Sequence, residues 1–211
     1  MLQGLSALVN GLNNLRHQGY AYIWANALFI VLSLPIITLP AAFSALMRVG
    51  YTAHTQPHES DIGLMWETFR ANLWQALPWG LAHLVFAVIN FANLLAYGGE
   101  PGLTIAFLRF VWVGAGVMWI GVLLYTWPIY YAMENPTLLG ATRNAFMMVV
   151  QNPFFTITIV AGIILLIILS TILVAAWMLL TFGAIAAIAN AAVQNRLEEY
   201  RKTKLKGYGV H

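Results

Sequence analysis

Residues 144–195 read NAFMMVVQNPFFTITIVAGIILLIILSTILVAAWMLLTFGAIAAIANAAVQN, 52 positions without one Asp, Glu, Lys or Arg. A helix rises about 1.5 Å per residue and the hydrocarbon core of a bilayer is about 30 Å thick, so one span takes roughly 20 residues. A single helix over this stretch overshoots the core. It therefore holds two spans, expected at Phe154 to Leu173 and Trp177 to Asn195, with a turn between Val174 and Trp177. Uncharged runs from His17 to Met47, Ala71 to Gly99 and Phe110 to Met133 are each long enough for one more. They place spans at Tyr20 to Leu39, Leu73 to Tyr97 and Phe110 to Tyr130.

Composition agrees with this reading. Of 211 residues, 61% are apolar and 8% charged, against roughly a quarter charged in a soluble domain. The expectation is an all-α, polytopic transmembrane bundle of five spans forming one integral membrane domain, 1–211. The formal charge of +3 gathers in Arg196, Arg201, Lys202, Lys204 and Lys206. A small, localised excess of this kind fits a membrane-surface anchor and gives no reason to expect nucleic acid. The absence of cysteine excludes disulfides and Cys-ligated metal. Met1 to Leu15 has no Lys or Arg, and the apolar stretch after it outruns a signal-peptide core, so the first span is expected to stay as an anchor.

Cytoplasmic loops of membrane proteins are enriched in Lys and Arg. Five spans with the amino terminus outside put Arg48, Arg70, Arg143 and the tail, 196–211, in the cytoplasm, and leave Arg16 and Arg109 outside. The expected location is a membrane crossed several times, with the tail on the cytoplasmic side.

Local signals fill in the layout. Leu5, Leu8, Val9 and Leu12 recur at helical spacing, which fits either a helix lying on the membrane surface or a frayed terminus. Pro35 and Pro40 should kink or break the first span, because each removes a backbone donor and clashes with the preceding turn. After the polar loop 52–60, Ser60 or Asp61 can cap a short interfacial helix with Ile62, Met65, Trp66 and Phe69 on one face. A second short helix follows Asn135-Pro136-Thr137 and runs to about Gln151. Setting Asn72 against Asn152 aligns Trp66 with Phe146 and Phe69 with Val149, the mark of either an internal duplication or the common form of helical hairpins.

Several of these segments also resemble a known family. Asn26 stands nine residues before Pro35 within Ser33-Leu34-Pro35-Ile36-Ile37-Thr38. Phe69-Arg70-Ala71-Asn72-Leu73-Trp74-Gln75-Ala76, the Tyr125 to Pro128 segment and Asn152-Pro153 follow in order. In sequence and spacing these resemble the YesL-like bacterial membrane proteins. The family has Gly before its second proline, where this chain has Leu39. The resemblance implies an accessory role beside carbohydrate ABC transporters, with no catalytic or ligand residues to carry over.

Candidate sites are few. His83 and Asn90 share a face of the second span, and Asn26 and Ser33 share one on the first. Polar groups at that depth point inward, so the four form either a ligand-binding or proton-passing seam or a set of interhelical hydrogen bonds. Gly183, Ala187 and Ala191 make a small-residue stripe suited to helix packing. Arg109 reads as a snorkelling residue at the outer rim. His54, His58, Glu59 and Asp61 hold metal-ligating atoms, but Pro57 breaks the helical spacing and no zinc motif is present. No metal or cofactor is expected. Nor is there a nucleophile elbow, phosphate loop or dinucleotide fingerprint. These absences point to a non-enzymatic protein, and the resemblance implies that it sits in a bacterial cytoplasmic membrane and assists or regulates carbohydrate uptake. The alternatives are a small transporter or channel using the seam and, third, an enzyme acting on lipid or envelope. The expected partners are the lipid bilayer and either an ABC transporter permease or a second copy of the chain.

Overall fold

A computed structural model describes residues 2–99 and 101–207. Among these residues the chain forms ten α-helices, two short 3-10 turns and no strand. The helices are α1 (Leu2–His17), α2 (Gly19–Ser33), α3 (Leu39–Thr55), α4 (Ile62–Asn72), α5 (Ala76–Ala96), α6 (Leu103–Ala132), α7 (Leu138–Gln151), α8 (Pro153–Ile172), α9 (Val174–Leu179) and α10 (Thr181–Gly207).

The outer surface is that of a membrane protein. Leu81, Val88, Phe91 and Leu95 of α5, Phe107 and Phe110 of α6, and Leu165 and Ile168 of α8 are all exposed. Exposed apolar patches of this extent are costly in water and suit lipid. Four segments are long and apolar enough to cross a membrane: Ile36–Thr55, Ala76–Ala96, Leu103–Ala132 and Pro153–Ile172. They are not equivalent. The α3 segment is 56% buried inside the protein, whereas those of α5 and α6 are each 17% buried. Helix α3 is thus the central post, and α5 and α6 face outward.

The expected single span from Tyr20 to Leu39 is not formed. Pro35 cannot extend α2, since it lacks an N–H and its ring clashes with the preceding turn. Residues Ile36–Thr38 make a 3-10 turn. The Thr38 hydroxyl donates to the carbonyls of Leu32 (2.5 Å) and Pro35 (2.6 Å), tying the turn to the end of α2. Pro40 then falls in the first turn of α3, where a missing N–H costs nothing. The chain reverses here. Asn14 shows the reversal: its Nδ2 donates to Ala53 O near the end of α3 (3.0 Å), and its Oδ1 accepts from Tyr22 near the start of α2 (2.7 Å). Helices α2 and α3 are the two arms of a hairpin.

Helix α1 differs from the expected surface helix in a related way. Gly4, Ala7 and Gly11 are buried, while Leu5, Val9 and Leu12 point outward. A Cβ on Gly11 would stand 2.7 Å from Ile188 Cα, so the α1 and α10 backbones nearly touch. Gln3 accepts from Arg196 Nη2 at 2.9 Å. The first turn of the chain and the root of the basic tail, expected on opposite faces, are neighbours.

Short helices α4 and α7, expected at the surface, pack lengthwise on α3 and α6. Asp61 caps α4, accepting from Leu64 N at 2.7 Å, and Thr137 caps α7, accepting from Gly140 N at 3.2 Å. In α4 only Met65 and Phe69 of the expected apolar face are buried; Ile62 and Trp66 are exposed. The aligned positions of α7 repeat this pattern, with Ala145 and Val149 buried and Phe146 exposed. The residues expected to form a turn, Val174 to Trp177, lie in α9, and the breaks fall at Leu173 and Leu180. Helix α10 begins at Thr181 and runs on through the start of the basic tail.

Gly11→Val forces the α1 and α10 backbones apart. It should destabilise the protein by about 1–3 kcal/mol, seen as a lower unfolding midpoint in detergent, while Gly19→Ala, where a Cβ meets nothing within 4 Å, should leave it unchanged.

Candidate functional site

The four polar residues of the expected seam turn to different neighbours. Asn26, fully buried, faces α9 and α10. Its Nδ2 donates to the carbonyls of Trp177 (2.9 Å) and Met178 (2.8 Å), and its Oδ1 accepts from Phe182 N (2.8 Å) and Gly183 N (3.2 Å). The amide caps the start of α10 from another helix, satisfying N–H groups that have no partner within their own first turn. Asn90 donates to Trp112 O at 2.8 Å, in space left by Gly116, whose Cβ would meet Asn90 Oδ1 at 3.2 Å. The hydroxyl of Ser33, at the end of α2, has no partner among the described residues.

His83 sits between two indoles, 4.3 Å from the Trp79 ring and 5.0 Å from Trp119. Its Nδ1 lies 2.9 Å from Trp79 O. A carbonyl only accepts, so Nδ1 carries the proton and Nε2, without a partner, has a free lone pair in the neutral ring. Beside this cluster a cavity of about 500 Å³ opens between Phe29, Pro40, Phe43, Leu84, Ile163 and Ile167. Its walls are almost wholly apolar. His83 and Trp79 border it through their ring carbons, since their ring nitrogens are buried. Asn26, Ser33, His83 and Asn90 make no hydrogen bond to one another among the described residues.

Two amides that the sequence reading did not single out as site residues have comparable work. Asn72 donates to Tyr131 Oη (3.0 Å) and Ser44 Oγ (3.3 Å), joining α4 to α6 and α3. Asn190 donates to Met47 O (3.2 Å) and Ala186 O (2.9 Å), where Gly50 lets α3 and α10 approach. A lone Asn in the Ala-rich run 184–192 was the available signal. In the small-residue stripe Gly183 lies against the Tyr22 backbone, and Ala187 and Ala191 are buried.

In the last turn of α3 His54 Nδ1 pairs with Gly50 O (2.9 Å), and beyond the helix Asp61 serves as the cap of α4. Among the described residues no group of three or more His, Cys, Asp or Glu side chains is placed to hold a metal. Among the described residues Arg109 donates to Gly98 O, at 3.4 Å.

A second cavity, about 560 Å³, lies where α6, α7 and α10 meet. Met133, Met147 and Met148 form an apolar side, and Asn144, Arg196 and Glu199 supply polar groups. Arg196 was legible only as the first charge of the tail. Its place at the groove follows from α10 packing on α6 and α8.

No family model, curated protein or solved structure matches this chain.

Replacing Asn26 with Leu strips two carbonyls and two N–H groups of their partner. Leaving such groups unsatisfied costs about 1–3 kcal/mol each before relaxation, so Asn26→Leu should lower the unfolding midpoint clearly more than Asn93→Leu, whose side chain bonds only within its own exposed helix turn.

Proposed function

We propose that this chain is a non-enzymatic integral membrane protein of a bacterial cytoplasmic membrane that assists carbohydrate uptake by contacting a transporter permease. The observation that carries the non-catalytic, non-conducting part is the use made of the amides within the bundle. Asn26, Asn72, Asn90 and Asn190 each donate to a neighbouring helix, so these amides serve to hold the bundle together. Interhelical hydrogen bonds of this kind are ordinary in membrane packing. The carbohydrate connection rests on the resemblance carried by Asn26, Ser33 to Thr38, Phe69 to Ala76, Tyr125 to Pro128 and Asn152-Pro153.

We infer a topology in which α5, α6, α8 and α10 cross the bilayer and the α2–α3 hairpin enters and leaves on the side of the basic tail. The hairpin changes the parity of the crossings, bringing the amino terminus to the cytoplasmic side. Two observations support it: the Asn14 bridge between the hairpin's ends and the Gln3–Arg196 contact. Charge supports it as well. Arg16, Arg48, Arg70, Arg143 and the five tail residues, nine of ten Lys and Arg, then lie inside, leaving only Arg109 outside.

The chain has no cysteine, so single cysteines report topology without background. In intact cells a membrane-impermeant maleimide should label Gly99→Cys and spare both Gln3→Cys and Gln56→Cys; labelling of Gln3→Cys from outside restores the five-span layout.

For the accessory role, mild-detergent purification from native membranes should recover a carbohydrate transporter permease, and loss of the protein should slow uptake of that transporter's sugar. Recovery of no transporter component where known complexes survive counts against it. Solute flux in proteoliposomes that disappears in His83→Leu would replace it with the transporter reading.

A further inference from the structure

The groove between α6, α7 and α10 carries chemistry that the accessory role does not use. Arg196 is the first charge after 52 uncharged positions, so it stands at the level where the apolar part of the bundle ends. An arginine at the end of an apolar span has the reach to meet lipid phosphates. Its Nε donates to Asn195 Oδ1 (3.2 Å), its Nη1 to Asn152 Oδ1 (3.3 Å), and its Nη2 to Gln3 Oε1 (2.9 Å) and Asn195 Oδ1 (2.6 Å). The Phe155 ring lies 4.3 Å from the guanidinium carbon. All of these partners are neutral. These bonds hold the cation in one orientation, and among the described residues no carboxylate pairs with it. A guanidinium has five N–H donors, so one, on Nη1, remains.

Glu199 borders the same groove one helical turn further on. Residues at i and i+3 are neighbours on a helix surface, yet the hydrogen bonds of Arg196 go to amides instead. The groove therefore shows a positive charge and, one turn toward the tail, a negative one. Ile129, Met133 and Met148 give it an apolar wall, and methionine adapts to irregular apolar partners.

The geometry points to a phospholipid site in this groove, selective for a head group that pairs a phosphate with a primary ammonium. The phosphate meets Arg196, a residue suited to phosphate oxygens by its planar fork. The ammonium meets Glu199. An acyl chain lies along Ile129, Met133 and Met148. A head group with negative charge alone satisfies Arg196 but is repelled by Glu199. A soluble phosphate compound leaves the apolar wall uncovered.

The test is native mass spectrometry of the full chain released from nanodiscs holding equal amounts of phosphatidylethanolamine and phosphatidylglycerol. Phosphatidylethanolamine should be retained several-fold over phosphatidylglycerol. Glu199→Gln should remove or reverse that preference, and Arg196→Gln should lower retention of both lipids. Glu199 is exposed and its carboxylate makes no hydrogen bond among the described residues, so its variant keeps the fold even if Arg196→Gln does not. Water-soluble glycerophosphoethanolamine, added as competitor, should not displace the lipid. Equal retention of the two lipids, or a preference unchanged in Glu199→Gln, overturns the assignment. Displacement by the soluble head group also overturns it and makes the groove a site for a soluble phosphate compound.

Discussion

A polar group in lipid finds its partner within the protein or goes without, and the side-chain amide of Asn26 meets this constraint for three segments at once. It fixes α2 to the end of α9, supplies acceptors to the first turn of α10, and so anchors one arm of the hairpin whose other arm is the central post α3. Around α3 the remaining helices are arranged by similar devices. Asn72 ties α4 to α6, Asn190 ties α10 to α3, and Asn14 closes the hairpin's open end. Hydrophobic burial alone does little to order helices in lipid, because the tails outside are as apolar as the side chains inside. Specificity falls to amides and to places where backbones meet.

Those meeting places explain how α1 packs. On a water-exposed helix the large apolar side chains mark the inner face. Here Leu5, Val9 and Leu12 face out and Gly4, Ala7 and Gly11 face in, because lipid accepts the bulky side chains and close approach needs the small ones. In α4 Ile62 and Trp66 also face out, although there the inner face holds the large side chains Met65 and Phe69. A hydropathy period gives a helix and its stripe, but which side of the stripe is the core depends on the solvent.

Much of the fold was nonetheless legible. Apolar length located α5, α6 and α8, and Asp61 and Asn152-Pro153 marked boundaries through capping and proline chemistry. Pro35 and Pro40 signalled a break. They carried no information on direction, because the reversal is fixed by Asn14 and Asn26, whose partners lie far away in sequence. The candidate site was legible as residue types and hidden as geometry. Asn26 and His83 are buried, yet the hydrogen-bond partners of Asn26 on α9 and α10, and the second indole beside His83, on α6, are connected to them by no local pattern. The alignment of Asn72 with Asn152 fared differently, since it depends on short-range order. Helices α4 and α7 pack on α3 and α6 with matching buried and exposed positions, a likeness that a duplication and two ordinary helical hairpins both produce.

The reach of the Asn26 amide also bears on how the protein is made. Its partners are 151 to 157 residues further along the chain. When α2 and α3 leave the ribosome, neither the carbonyls of α9 nor the first turn of α10 yet exists. The hairpin's amide must spend most of synthesis with water or provisional partners, and contacts so distant in sequence form late. Maturation of the amino-terminal third is therefore coupled to completion of the last helix, and a nascent chain halted before α10 leaves its earliest helices waiting.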